Sequence, residues 1–483
     1  MNDFDNKITS LDLKSKPIFD IEDHLKYTND WRGQYIGDAI AILKPHDKYE
    51  VSKILKFAND NQISVVPQGG NTSLCGGATP LKNSYSIIIS TEKMNKIISI
   101  DKETMTLTSE PGVILSNIHE EVEKKDLFFP LSLGAKGSCT IGGNLSTNAG
   151  GINVLKYGNT RDLCLGLEIV LPNGDIMDLL KILKKDNTGY DLKNIFIGSE
   201  GTLGIITAAT MKLFPKPKLG ITSFVETISI KNAIKLLNLF QEELKNELEA
   251  FELMPNVFWE VADNNTENLS LPFNKLPKMG VLLELASTST HDTILNKEGT
   301  TILHEKLEHI LAKALEKKLI EDAIICKNEL EKNKLWEIRE NAAENEKKEL
   351  KKSNSKKCLK HDISLPINNI EKFHIETQKM ISLRLKNTRT IFFGHLGDGN
   401  LHYNIFGNGK GDDGFEGQSK NITENLYKII NKLNGSFSAE HGIGQLKKND
   451  LKYFKDPIAY NMMKNLKYLI DPKNTMNPGK ILI

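Results

Sequence analysis

Arginine is nearly absent from this chain. Of 63 basic residues in 483, only five are Arg: Arg32, Arg161, Arg339, Arg384 and Arg389. Lysine does the routine work of solubility, so each Arg draws attention as a place where a planar, forked cation is needed. Charge of one sign is missing too, because acids and bases nearly cancel at a formal +1. That excludes the basic field of a nucleic-acid or membrane-surface binder. Cysteine is sparse and odd in number (Cys75, Cys139, Cys164, Cys326, Cys358), with no CxxC pair, which excludes a disulfide scaffold and a zinc ribbon and predicts free thiols in a reducing compartment. No apolar run reaches membrane-spanning length, so an integral membrane protein is not expected. The segment MNDFDNKITSLDLK carries acids and neither an apolar core nor an arginine-rich amphipathic pattern. It predicts a cytoplasmic protein, with neither secretion nor mitochondrial import supported.

What is present is a long, ordinary globular composition, 39% hydrophobic and 26% charged, too long for one compact core. From Ala39 to Pro217 short β-type runs alternate with turns, and Pro172-Asn173-Gly174-Asp175 marks a hairpin. Helices are predicted over Lys48 to Asn59 and Val113 to Lys124. After PKPK at Pro215 to Lys218 the texture changes to Lys/Glu amphipathic helices, predicted over Ile230 to Phe251, His291 to Glu316 and Ile422 to Leu433, with strands such as Met279 to Ala286 between them. Lys347 to Lys357 is predicted as a solvated surface excursion. HEKLEH resembles a zinc helix, but His304 and His309 are five apart, about 140° around a helix of 3.6 residues per turn, and share no face.

The chemistry concentrates in two segments, FFGHLGDGNLHYN (Phe392 to Asn404) and SAEHGIG (Ser438 to Gly444). On one regular strand, His395 and His402 would point to opposite faces. Gly394, Gly397 and Gly399 allow the chain to turn between them and bring both rings to one point. His402 and Asn404, two apart, share a face. Glu440 offers an oxygen ligand and His441 another basic nitrogen. Two imidazoles and a carboxylate suit Zn²⁺ or a similar ion with a coordination position left open. The bland alternative is a set of hydrogen-bonded histidines at loop ends.

Three glycine-rich runs crowd the first half: PQGGNTSLCGG (Pro67 to Gly77), LGAKGSCTIGGNLSTNAGG (Leu133 to Gly151) and IGSEGTLGIIT (Ile197 to Thr207). The first follows the strand ISVV and forms an amide nest of the kind that wraps a pyrophosphate. It is neither GxGxxG nor a Walker loop, which disfavours nicotinamide and triphosphate sites. The second lacks a hydrophobic period for 19 residues and reads as backbone lying close to a planar cofactor.

Taken in order, PQGGNT, LGAKGSCTIGGN, TNAGG, KKDNTGYDLKNIFIGSEGTLGIIT, GHLGDGNLH and SAEHGIG resemble the FAD-linked 2-hydroxyacid dehydrogenases of the vanillyl-alcohol-oxidase-type superfamily, with LGAKGSC and KDNTGYDLK most like the D-2-hydroxyglutarate dehydrogenase branch. The resemblance implies an α+β fold in which a PCMH-type FAD-binding domain (35–217) follows an N-terminal segment (1–34). A substrate or cap domain carrying the metal (218–450) comes next, and a C-terminal segment (451–483) returns to the FAD domain. It implies FAD between the domains, contacted by Pro67, Gly69, Gly70, Asn71, Thr72, Ser73, Pro130, Leu133, Gly134, Ser138, Gly142, Gly143, Asn144, Thr147, Gly201, Ile206 and Asn477. Asn71 stands where some relatives carry a flavin-linking histidine, so the FAD is expected to be non-covalent. His395, His402 and Glu440 are implied as zinc ligands, His441 as the base, and Arg339, Lys360 and Asn404 as substrate contacts. The chain departs from the pattern at Ala343, where a hydroxyl residue is usual, at His361, where a tyrosine is usual, and in the lysine-rich run between Arg339 and Lys360.

The expected reaction is oxidation of a D-2-hydroxy acid, D-2-hydroxyglutarate foremost, with D-lactate or glycolate as the alternative within the family and a zinc hydrolase as a remote one. The electrons are expected to leave to a separate acceptor: an electron-transfer flavoprotein, a quinone-linked chain or a 2-oxo acid. The candidate assembly is a homodimer.

Overall fold

A computed structural model describes residues 3–267, 275–353, 355 and 357–483. The chain divides into two compact units. The first comprises the chain up to Gly151, Tyr157–Lys216 and Glu440–Ile483, and the second Ile152–Lys156 and Pro217–Ala439.

The first unit contains two main sheets. Ala41–Leu43, Ser86–Ser90 and Ser64–Gln68 form a parallel sheet with Ser86–Ser90 in the centre. Ile87, Ile88 and Ile89 are wholly buried, as a parallel strand covered on both faces demands. The helix Lys48–Asp60 covers it, started by Asp47, whose carboxylate accepts from the amides of Tyr49 and Glu50. A five-stranded antiparallel sheet follows, ordered Ile97–Asp101, Thr106–Ser109, Ile205–Lys212, Cys164–Val170, Ile176–Leu179. The expected hairpin joins the last two strands. The second glycine-rich run is not unstructured throughout. Once Ile141 and Leu145 have a core to enter, residues Ile141–Thr147 form a helix that stops at Asn148 in the left-handed conformation.

The second unit is built on a seven-stranded antiparallel sheet, ordered Asp322–Ile325, Leu219–Thr227, Met279–Ser287, Leu248–Pro255, Arg389–His395, Asn400–Phe406, Cys358–Ser364. Two helix expectations and one surface-loop expectation change here. The helix predicted over Ile230 to Phe251 ends at Glu243, and Leu248–Pro255 is a fully buried strand held between two neighbours. Ladder pairing outweighs the helical preference of Leu, Glu and Ala. The segment from His291 begins as one short 3₁₀ turn, and the helix proper, Ile302–Glu316, starts at the Thr301 cap. The lysine-rich excursion is helical through Lys352, within Ala342–Lys352, because Lys and Glu are good helix formers whose charged ends stay in water. Asn354 and Lys356 of that run lie outside the described residues.

Candidate active site

The strands Arg389–His395 and Asn400–Phe406 form a tight hairpin, with Phe393 opposite His402. Gly399 makes the turn, at φ +79, and a Cβ there would come within 2.1 Å of the Leu365 carbonyl oxygen. The result is the convergence expected of this pair, with the His395 and His402 rings 6.3 Å apart between centroids. Cross-strand register then fixes their neighbours. Asp362 lies opposite His402, Lys360 opposite Asn404, and Glu252 opposite His395. Directly paired residues share a face, so one surface of the sheet carries two histidines, an amide, a lysine and two carboxylates.

Helix Glu329–Glu340 lays Arg339 over this face. Its Nε donates to Glu252 at 2.7 Å, and its guanidinium carbon lies 4.8 Å from the centre of the Phe393 ring. The other Glu252 oxygen bonds His395 Nδ1. Burial alone would push the Glu252 carboxyl up, but the charges of His395 and Arg339 overrule it and hold it well below the usual carboxylate range. A carboxylate on Nδ1 fixes the orientation of the His395 ring, the arrangement by which a carboxylate orients a metal-binding imidazole. His402 has Asp362 4.0 Å from its Nδ1. The next helix, Ala342–Lys352, adds Glu346, almost wholly buried, which bonds Lys360 Nζ at 2.9 Å and the Asn404 amide nitrogen at 2.5 Å. Ala343 is exposed. His361 points to the opposite face, bonding the Tyr403 carbonyl at 3.0 Å and Thr423 Oγ1 at 3.2 Å, a packing role.

Glu440 and His441 sit where the chain leaves the second unit. Ala439, immediately before them, donates its amide to the Asp362 carbonyl at 3.3 Å. In the first unit the residues just after them are clamped by Glu200, whose carboxylate accepts from the amides of Ile443 (2.7 Å) and Gly444 (2.8 Å). Burial raises the Glu200 pKa against those two bonds.

The other cofactor candidates lie in the first unit. Gly69 and Gly70 press against the 138–143 segment so closely that a Cβ on either would approach Thr140 Oγ1 to 2.3 Å or the Ser138 carbonyl to 1.9 Å. Asn71 is left-handed at φ 52 and donates to the Asn29 carbonyl. Asn477 donates to the carbonyls of Gly77 and Glu200. Pro67 and Ile206 belong to strands, Gly142 to Thr147 to the short helix, Gly201 to a turn, and Pro130, Leu133, Gly134 and Ser138 to the loop before Thr140. Thr140 Oγ1 is buried with no hydrogen-bond partner among the described residues. Lys480 is 3% exposed, and its ammonium reaches the Pro478 carbonyl at 3.5 Å. Burial, with Lys448 adding to it, brings its pKa down to about 7. A buried lysine whose charge an anion would restore, a buried hydroxyl without a partner among the described residues and a backbone cradle fit an anionic, flat cofactor.

Residues 39–180 match the FAD-binding-domain family and residues 216–481 the C-terminal domain of FAD-linked oxidases. The mitochondrial D-2-hydroxyglutarate dehydrogenase of Arabidopsis thaliana is 37% identical over 97% of this chain and 80% of its own length. The chain belongs to the FAD-linked 2-hydroxyacid dehydrogenases. The Danio rerio mitochondrial D-2-hydroxyglutarate dehydrogenase is 36% identical over 95% of this chain and 82% of its own. The Saccharomyces cerevisiae D-2-hydroxyglutarate–pyruvate transhydrogenase is 34% identical over 95% and 90%. Alkyldihydroxyacetonephosphate synthase shares the fold at TM-score 0.74 and 17% identity, covering 99% of this chain and 84% of its own. p-Cresol methylhydroxylase does so at 0.73 and 14%, covering 99% and 96%. The α+β, PCMH-type architecture expected from the sequence is therefore correct, and the protein is an FAD-linked dehydrogenase, not a hydrolase.

The cytoplasmic expectation is corrected by these comparisons, since the plant and fish relatives carry mitochondrial names. That expectation rested on the charge and apolar pattern of MNDFDNKITSLDLK, and so short a local pattern is a poor guide to compartment. Among the described residues no helix is long and apolar enough to cross a membrane.

The sequence reading missed Glu252, Glu346 and Glu200. Only Glu200 had an available signal, as the one carboxylate of the glycine-rich run Ile197 to Thr207, whereas Glu252 shares its strand with Glu249 and follows Glu247.

Proposed function

We propose that the enzyme oxidises D-2-hydroxyglutarate to 2-oxoglutarate, with a zinc-like ion held by His395, His402 and Glu440. The observation that carries this reading is the sheet face on which His395 and His402 converge beside Arg339, Lys360 and Asn404. Two imidazoles, His395 oriented by Glu252 and His402 with Asp362 nearby, together with the carboxylate of Glu440, make a donor set suited to such an ion. Arg339 spends Nε on Glu252 and keeps its two terminal nitrogens for a substrate carboxylate, which orients the Cα–H bond. His441 takes the hydroxyl proton as general base. A bound ion of this kind acidifies the substrate hydroxyl. FAD, held without a covalent link because Asn71 cannot form one, would supply the acceptor for the Cα hydrogen and its electron pair. A separate acceptor would take up the electrons, and the transhydrogenase name of the yeast relative supports a 2-oxo acid in that role.

A second reading, a monocarboxylate such as D-lactate or glycolate, is favoured by one observation, the engagement of Lys360 and Asn404 by Glu346. Anaerobic flavin bleaching with a panel of D- and L-2-hydroxy acids, followed by metal analysis of the same sample, tests the proposal. Bleaching by D but not L acids, with about one ion per chain, is expected. A flavin left oxidised by every D-2-hydroxy acid would refute it.

A further inference from the structure

The strap that carries Glu440 and His441 continues through two left-handed glycines, Gly442 at φ +73 and Gly444 at φ +52. Glycine leaves a chain free to take many directions, so a side chain just before such a pair needs an anchor to hold one position. The first unit supplies it. Glu200 Oε1 accepts from the Ile443 amide at 2.7 Å and Oε2 from the Gly444 amide at 2.8 Å. The Cys75 carbonyl accepts from the Gln445 amide at 2.8 Å, and the Gln445 side chain donates to the Gly76 and Thr79 carbonyls. Of these acceptors only Glu200 carries a formal charge, and charge-assisted bonds are the stronger kind.

Glu200 is itself fixed. It is 9% exposed and left-handed at φ 51, a conformation that is costly for a residue with a Cβ and that glycine would adopt freely. Its amide donates to the Ser146 carbonyl at 2.7 Å, and its carbonyl accepts from the Asn477 side chain at 2.8 Å. A strained backbone, tied on both sides, thus delivers a buried carboxylate to the amides two and three residues beyond His441.

We propose that Glu200 is a positioning residue for the proton-transfer step: by gripping the Ile443 and Gly444 amides, its carboxylate sets where the His441 imidazole stands. It acts through the strap and is not a catalytic residue. The inference rests on the reading of His441 as general base and adds the group that aims it. A reacting group misplaced by about 1 Å can lose on the order of 100-fold in rate, so the grip of one carboxylate is enough to matter.

The test is anaerobic stopped-flow reduction of the flavin by D-2-hydroxyglutarate in four holoenzymes: wild type, Glu200→Gln, His441→Ala and the double variant. Glu200→Gln is expected to lower the limiting rate at least about tenfold, to shift the substrate concentration at half-maximal rate less than about threefold, and to retain FAD. Added to His441→Ala, it is expected to cost less than about threefold more, because it acts through the imidazole already removed. A merely structural role would cost as much in either background, and that result overturns the proposal. So does a wild-type rate in Glu200→Gln. Hydrogen exchange of the 440–446 segment supplies a readout independent of turnover: Glu200→Gln should exchange at least about tenfold faster there, and unaltered protection overturns the proposal. If Glu200→Gln does not retain FAD, Glu200→Asp, which keeps the charge but withdraws it by one methylene, decides by the same cycle and the same criteria. A wild-type flavin left oxidised by D-2-hydroxyglutarate, or a His441→Ala variant that bleaches at the wild-type rate, removes the reading on which the inference rests, a result distinct from additive losses.

Discussion

Glu252 joins Arg339 to His395. One carboxylate, wholly buried on the strand Leu248–Pro255, accepts from Arg339 Nε at 2.7 Å and bonds His395 Nδ1 with its other oxygen. The group proposed to grip the substrate carboxylate and a group proposed to hold the ion thus share one anchor. A shared anchor couples them, so a change at Glu252 disturbs both orientations together.

Glu252→Gln keeps the shape but removes the charge, and its amide can accept from only one of the two partners. Metal affinity is expected to fall by about 10–100-fold, as for other carboxylates that orient a ligating histidine. The kcat/KM should fall with it, while FAD content is retained. Metal titration of the apo-variant beside flavin absorbance checks this, and unaltered metal affinity would count against the orienting role.

The hairpin was legible because two glycines between two histidines, with a third just before the first, leave few ways to arrange the chain, and each glycine-rich run in the first half carries the same kind of local constraint. Glu252 was not legible. Its strand is defined by pairing with Met279–Ser287 and with His395, 143 residues away, and the local sequence before it continues a helical pattern. Glu346 was hidden for a related reason. In a lysine-rich helix every charge looks solvated, and only the register of Lys360 opposite Asn404 reveals that one carboxylate turns inward.

His441→Ala should stop flavin reduction by substrate while leaving FAD bound, with a loss of at least about 100-fold expected for a general base. Removing the ion with a chelator should also stop turnover without stripping the flavin. Stopped-flow absorbance at the flavin band measures both. Near wild-type bleaching in the variant would reassign the base, and undiminished activity after chelation would dispose of the ion.

Gly70 has room for hydrogen alone, since a Cβ there would lie 1.9 Å from the Ser138 carbonyl oxygen. Gly70→Ala should push the two loops apart and weaken FAD binding at least about tenfold, given how little a packed backbone contact yields. Equilibrium dialysis of the apo-protein against FAD reads this directly. Denaturing the wild type should release all its flavin, because Asn71 offers no covalent attachment, and flavin remaining on the polypeptide would contradict that.

His374 sets a pH limit on stability. Its ring bonds the Tyr403 hydroxyl at 3.2 Å and packs on Phe392, and burial brings its pKa down from 6.5 to about 4. The folded state therefore resists protonation that the unfolded chain accepts near 6.5. The neutral ring costs nothing above that pH, and stability is lost as the pH falls from about 6.5 toward 4, where the unfolded state binds the extra proton. At 1.36 kcal/mol per pH unit, the loss attributable to this residue is at most about 3 kcal/mol, less whatever solvent reaches the half-buried ring. His374→Phe should keep the aromatic packing and flatten the stability profile between pH 4 and 6.5 relative to wild type. Urea unfolding of both proteins at pH 7.5 and pH 5 makes the comparison, and an equal loss in the two would assign the acid sensitivity to other groups.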